Sequence, residues 1–295
     1  MKHYEDLNMV LKRLNINNII TNDIESWEIQ RDHNKIYNKL WLIDCQNIDC
    51  GPIGTNPTQY PIIIKPIINL YGMSKGFKKI KDKEEYLKNQ DDGTFWMPYF
   101  EGDNFTIDLI IDKGKIVGYY ALESFPDING TFKYHKYQPN YKLSDKNYKF
   151  IEDNLKGYSG PLNIEIINNN IIEAHLRLNG DYYLYDDNFI INLSRLISGD
   201  NYNLNVSKKV FYLFPYFVDS SFKLEILNKE EIENIISDKK VDNIRWDNIY
   251  SEYQRVDLSR LLMFKTSKKS IGEEVLFEIR RNIYLRSMIY QEIIL

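Results

Sequence analysis

Two short apolar segments, Leu162 to Ile167 and Ile171 to Leu176, flank the run Asn168, Asn169 and Asn170, and both carry polar or charged residues within them. Each reads as a β-strand, with the asparagine run as the hairpin turn between them. Side chains alternate across a strand with period two, so Asn163 and Glu165 share one face, and Glu173, His175 and Arg177 share a face of the next strand. Charge inside an apolar strand is costly unless it is paired or bound to a metal ion. Two readings are open. The face is a partly exposed sheet surface with a salt bridge, or two carboxylates and an arginine on neighbouring strands gather Mg²⁺ and a polyphosphate.

The rest of the chain reads as mixed α+β. Residues 1–40 have helical apolar spacing at Leu7, Val10, Leu11 and Leu14. Residues 44–59, with Gly51, Pro52, Gly54 and Pro57, read as a loop. The run from Pro61 to Pro66 is a buried strand, Asn69 to Gly76 a turn, and Lys79 to Asn89 a charged helix. Strands follow at Thr94 to Phe100, Phe105 to Asp112 and, after the turn Asp112-Lys113-Gly114-Lys115, Ile116 to Leu122. Ser144 to Leu155 and residues 187–199 are helical. Beyond 207, strands at Val210 to Phe217 and Phe222 to Leu227 alternate with helices at Lys229 to Ile236 and Glu273 to Ile294. Lys265, Lys268 and Lys269, with Arg280, Arg281 and Arg286, read as a solvated helix face or a local basic patch.

Composition narrows the classes. The chain has 295 residues, 43% hydrophobic and 27% charged, enough for a sizeable core in one large domain or two modest ones. The net charge of −4 gives no global basic field for a nucleic acid or an anionic membrane. No apolar run approaches the roughly 20 residues of a membrane span. The N-terminal stretch lacks a signal peptide's apolar centre. Cys45 and Cys50 supply neither a disulfide framework nor a zinc quartet, so a reduced, cytoplasmic setting is the expectation.

Two further segments carry chemistry. Tyr60 to Pro66 ends in Lys65, which a buried strand would present at its mouth, and Gly72-Met73-Ser74-Lys75-Gly76 lies just beyond. Such a loop can close backbone N–H groups over phosphates, or it is only a turn. Trp96 to Pro98 leads through Glu101-Gly102-Asp103 into Asn104 to Asp108. Its strand end can pair with an adenine edge, or it is an edge strand with a hairpin turn.

In this order and spacing the three segments resemble the ATP-grasp superfamily of carboxylate–amine and carboxylate–thiol ligases. The resemblance runs from about residue 35 to about 200. It implies an α+β fold in which two subdomains sandwich ATP, preceded by a reduced N-terminal domain. The implied organisation is a short helical lead over 1–40, a core over 41–200 and an α+β extension over 201–295. Within the core, about 60–100 would be the small lobe with the phosphate loop and 101–200 the large lobe with the metal site.

The resemblance also implies roles. Lys65 and Lys39 would contact phosphates, and Ser74, Lys75 and Gly76 would form the mobile loop over them. Trp96, Met97, Pro98 and Tyr99 would form the adenine hinge. Asn104 falls where many members carry a ribose-binding Glu, with Glu101 or Asp103 as substitutes. Glu165 and Glu173 would hold Mg²⁺, with Mn²⁺ as the alternative ion. His175 stands where the family has an Asn metal ligand. Imidazole suits Mg²⁺ less than an amide oxygen does, so His175 is a metal ligand or a group facing the substrate. Arg177 would hold the γ-phosphate or the acyl-phosphate. Lys65, Arg177 and His175 are thus the candidate catalytic residues. The implied activity is an ATP- and Mg²⁺-dependent ligase that joins a small carboxylate to an amine through an acyl-phosphate. A phosphotransferase and a non-catalytic nucleotide-binding protein are the alternatives. Partners would be small molecules, without nucleic acid or membrane, and a homodimer is an admissible assembly.

Overall fold

A computed structural model gives the fold and describes residues 2–3, 7–71, 76–127, 131–180, 186–219, 228–239, 241–246 and 258–294. In chain order its strands are β1 (Lys2–His3), β2 (Gly51–Pro52), β3 (Ile62–Pro66), β4 (Lys78–Ile80), β5 (Thr94–Pro98), β6 (Asn104–Asp112), β7 (Lys115–Pro126), β8 (Phe132–Tyr137), β9 (Gly160–Ile167), β10 (Asn170–His175), β11 (Tyr212–Asp219), β12 (Asn243–Trp246) and β13 (Leu258–Thr266). Its helices are α1 (Leu7–Arg13), α2 (Asp23–Ile29), α3 (Lys39–Asp44), α4 (Lys83–Leu87), α5 (Asp145–Asn154), α6 (Asp187–Ser198), α7 (Lys229–Asp238) and α8 (Lys269–Ile294), with a 3₁₀ helix at Arg31–Tyr37. The chain divides into two compact units. One comprises Asp6–Glu123 and Gln138–Lys208; the other comprises Met1–Glu5, Ser124–Tyr137 and Lys209–Leu295. The first overlaps the core drawn from the sequence but also takes in most of the 1–40 lead.

The first unit contains two sheets. The small one has strand order β2-β5-β3-β4, all antiparallel. Period-two alternation sends Ile62 and Ile64 of β3 to one face, where Ile80, Tyr86 and Trp96 complete a cluster. Ile63 goes to the other face and packs with Phe95, Met97 and Ile43 of α3. Lys65, two residues after Ile63, belongs to that second face, which aims its ammonium toward α3. Lys79 to Asn89 is not one helix. Lys78–Ile80 pairs with β3, and the Asp82 carboxylate then caps α4 by accepting from Glu85 N at 2.9 Å.

The larger sheet of this unit runs β7-β6-β9-β10, antiparallel throughout. One face, including Ile107, Leu109, Leu162, Ile164, Ile166 and Ala174, is buried with Leu42 of α3 and Ile151 of α5. Each leucine or isoleucine here contributes about 1.5–3 kcal/mol when fully buried. The Asn168–Asn169 turn has both residues at positive φ, which asparagine tolerates, so the run serves as the expected hairpin. Ser144 caps α5 and Gly199, at φ 77°, ends α6. At the β10 end of the sheet, the Gln46 amide donates to Leu42 O at 2.8 Å and Ile171 O at 2.7 Å, and accepts from Ile171 N at 2.9 Å.

In the second unit the strand order is β1-β12-β13-β11-β8. Phe214, Ile244, Leu262 and Phe264 pack there with Ile232 and Ile236 of α7 and Val275 and Ile279 of α8. The sequence reading omitted β8, β12 and β13. Lys265 ends up on β13, with its ammonium 4.2 Å from the centroid of the Phe211 ring, and Lys269 opens α8. The basic stretch is therefore not one helix face. The strand expected at Phe222 to Leu227 lies outside the described residues. Among the described residues, no helix is long and apolar enough to cross a membrane.

Candidate active site

The site grows from one face of β6, β9 and β10. Directly opposite residues of antiparallel strands point the same way. Thr106 stands opposite Glu165, which stands opposite Glu173; Asp108 stands opposite Asn163, which stands opposite His175. A register shift between Ile171 and Glu173 makes this alignment. Ile171 pairs with Ile166 on the apolar face, and the extra residue, Ile172, turns Glu173 to the polar face beside Glu165. The Ile172 carbonyl accepts from Lys65 Nζ at 2.9 Å, so the bulge also receives the small sheet's lysine.

Lys39, at the start of α3, forms an ion pair with Glu173 Oε1. Lys39 and Lys65 are both buried. Burial alone would raise the Glu173 pKa, but the charges of Lys39, Lys65 and His175 outweigh it and hold the carboxyl at about 2. Glu165 moves the other way: burial and the facing Glu173 raise it against the lysines and His175. Lys65 is brought down to about 8 by burial, offset by Glu173 and reinforced by Lys39.

A second cluster forms on Asp23, the first residue of α2. Its Oδ1 accepts from Arg177 Nε at 2.9 Å, His175 Nδ1 at 3.1 Å and the Tyr37 hydroxyl at 3.2 Å, and its Oδ2 from Arg177 Nη2 at 2.9 Å. Arg177 Nη1 donates to Leu178 O at 3.1 Å. Burial opposes ionisation of Asp23, yet the His175 hydrogen bond and the Arg177 charge hold it at about 2. His175 Nε2 lies 3.7 Å from Glu173 Oε1 and so links the two clusters. Nearby, Asp108 Oδ1 accepts from Asn163 Nδ2 and Asn179 N, both at 2.9 Å.

The structure thus brings together Lys39, Lys65, Glu165, Glu173, His175 and Arg177. Met97 and Pro98 lie on β5, paired with Ile63 and Ile62. Tyr99 N donates to Pro61 O at 3.1 Å, and its ring lies 3.4 Å from Lys79 Nζ. Glu101 is exposed in the connection to β6, which Asn104 opens. Gly76 has φ 79°, and Ser74 and Lys75 lie outside the described residues. Sequence reasoning missed Asp23 and Tyr37. Asp23 reads as an ordinary acidic residue in a helix's first turn, and 152 positions separate it from His175.

Among the described residues, no set of three or more His, Cys, Asp or Glu side chains is gathered to hold a metal ion. Mg²⁺ needs no such cage when one or two carboxylates share it with phosphate oxygens and water. Glu165 and Glu173 meet that requirement. Glu165 is a half-buried carboxyl that burial and the facing Glu173 hold above its ordinary pKa, and a divalent cation would let both carboxylates ionise. The donor pair therefore fits Mg²⁺ shared with a polyphosphate. His175 commits Nδ1 to Asp23 and keeps Nε2 on the Glu173 side.

No protein-family model matches the sequence, and no curated protein matches it. Comparison with solved structures identifies the fold: the chain has the ATP-grasp fold. The carboxyaminoimidazole ribonucleotide synthase from Aspergillus clavatus, complexed with ATP, is similar at a TM-score of 0.58 and 10% identity, over 87% of this chain and 74% of that one. The N5-carboxyaminoimidazole ribonucleotide synthetase from Thermus thermophilus is similar at 0.57 and 12%, over 95% and 86%. The L-amino acid ligase from Bacillus licheniformis is similar at 0.55 and 12%, over 92% and 75%. At these identities the likeness establishes the fold.

Proposed function

We propose that the chain is an ATP- and Mg²⁺-dependent ligase, cytoplasmic and acting on small molecules, that activates a carboxylate as an acyl-phosphate and passes the acyl group to an amine. One observation carries the reading. Two buried lysines from different elements meet at the bulge of β10: Lys39 pairs with Glu173, Lys65 donates to the adjacent Ile172 carbonyl, and Glu173 faces a second carboxylate across the ladder. Supporting it, the Aspergillus clavatus synthase is a complex with ATP, and the other two structures are named a synthetase and a ligase.

The residues suit phosphoryl transfer, where the protein's task is placement and charge compensation. Lys39 and Lys65 now neutralise Glu173; an arriving polyphosphate would draw on the same ammoniums and free that carboxylate. Glu165 and Glu173 would then hold Mg²⁺, which when bound supplies charge neutralisation at the phosphates. A substrate carboxylate oxygen bonds to the γ-phosphorus as the bond to ADP breaks, and Arg177 and Lys65 would offset the charge that develops. The amine then attacks the acyl carbon, loses a proton, and phosphate leaves. Met97 to Tyr99 would border the adenine, and Glu101 and Asn104 would lie toward the ribose.

Calorimetry with Mg·ATP, followed by ADP-release screening against pools of amino acids, peptides and other carboxylates, tests the proposal. The expected result is saturable binding that Lys65→Met weakens at least tenfold, with ADP release dependent on one carboxylate–amine pair. Wild-type protein that binds no Mg·ATP sinks the reading. ADP release with a phosphorylated product and no amide would make the protein a phosphotransferase.

A further inference from the structure

Asp23 lies on a helix outside both sheets, yet its carboxylate accepts from His175 at the end of β10, from Arg177 just beyond it and from the Tyr37 hydroxyl. Arg177 has five N–H donors. Two go to Asp23 and one to Leu178 O, which fixes the plane of the guanidinium and leaves one edge uncommitted among the described contacts. A carboxylate held by an arginine only accepts, so the His175 Nδ1 that meets it carries the proton. That assignment points the other nitrogen, Nε2, to the Glu173 side. Without this carboxylate Arg177 would regain the freedom of its rotamers and the imidazole could exchange tautomers.

Helix α2 and the 3₁₀ helix after it are also held by groups other than this carboxylate. Ser26 Oγ donates to Leu176 O at 2.9 Å, and Leu176 N donates to the Tyr37 hydroxyl at 3.0 Å. Trp27 meets Tyr37 edge-on, with ring centroids 5.8 Å apart. These contacts join the lead of the chain to β10 without using Arg177 or His175.

We propose that Asp23 is a positioning residue, which fixes the guanidinium plane of Arg177 and the tautomer of His175 for the phosphoryl chemistry at Glu165 and Glu173. The proposal rests on the ATP-dependent reading above, and its test separates the two.

The test compares wild-type protein, Asp23→Asn, Ser26→Ala, Arg177→Gln and the Asp23→Asn/Arg177→Gln double variant by steady-state ADP release, alongside imidazole ¹⁵N spectra of the wild type. Asp23→Asn should lower kcat about 100-fold, the scale of a misplaced catalytic group, while the KM for ATP stays within about threefold. Ser26→Ala loosens the same helix without touching either side chain and should keep kcat within about threefold. Asp23→Asn should slow the Arg177→Gln enzyme by much less than the factor it costs the wild type, because part of its effect runs through that arginine and only the part through His175 remains. The proposal is overturned by an Asp23→Asn enzyme with near-wild-type kcat, or by a Ser26→Ala enzyme equally impaired. If Asp23→Asn does not fold, the wild-type spectra decide: a proton on His175 Nδ1 supports the clamp, and a bare Nδ1 overturns it. A wild-type protein without ATP turnover removes the proposed function, while the same spectra still read the clamp directly.

Discussion

Glu173 stands directly opposite Glu165 across the β9–β10 ladder, two largely buried carboxylates on one face of the sheet. Like charges in this relation repel, and here Lys39 and Lys65 compensate one member far more than the other. Glu165→Gln removes the repulsion and keeps the shape. It should stabilise the nucleotide-free protein by about 0.5–1 kcal/mol, read as a higher Tm. The same variant should lose at least tenfold in Mg·ATP turnover. A lower Tm would show that Glu165 is needed as an anion even without nucleotide.

Lys39→Met removes the lysine paired with Glu173 and leaves the charge of Lys65, which is bonded to the Ile172 carbonyl. Removing a partner from a buried ion pair costs about 3 kcal/mol or more, because a buried charge is left behind. Lys39→Met/Glu173→Gln should recover much of that loss, since neither charge remains. Urea unfolding of both single variants and the double variant measures the coupling. Additive losses would place the two groups apart in solution.

Asp23 sets an acid limit. Its carboxyl is held at about 2 against an ordinary 3.8, so its contribution is complete above pH 3.8 and disappears as pH falls through about 2. The contribution is worth about 2 kcal/mol. Unfolding free energy measured from pH 5 to pH 2 should therefore fall less steeply in Asp23→Asn than in wild type. Parallel profiles would contradict the clamp's electrostatics.

Gly272 is inside α8, where alanine would ordinarily stabilise a helix by about 1 kcal/mol. Here a Cβ would run into the Phe214 ring of β11. Overpacking of this kind costs about 1–3 kcal/mol, so Gly272→Ala should lower the Tm. Gly180→Ala, which meets nothing within 4 Å, is the control for the loss of a glycine.

Local pattern made much of this molecule readable. The alternation within each strand puts Asn163 with Glu165 and Glu173 with His175, as in the structure, but the register set by the asparagine turn alone would leave the two pairs on opposite faces. The actual cause of the alignment, the bulge at Ile172, has no signature that apolar periodicity can detect. Lys78–Ile80 is too short and too charged to declare a strand; it becomes one because β3 offers a free edge. β8 and β13 were hidden for a related reason, since aromatic, lysine-bearing segments such as Phe132–Tyr137 gain their strand character from pairing with β11. Asp23 was invisible because its partners are set by tertiary structure, whereas the lysines that meet Glu173 belonged to recognisable segments.

The Gln46 amide offers one donor group and one acceptor to Ile171, the same pair a peptide unit would offer. It stands in for a strand that is not there. Gln46 and Ile171 are both buried, so Gln46→Leu would leave these two backbone groups of Ile171 without a partner inside the protein, each costing about 1–3 kcal/mol. A residue with no part in the chemistry thus holds the edge of the strand that carries Glu173. Its loss would be read as a lower urea midpoint for unfolding, the same at every protein concentration.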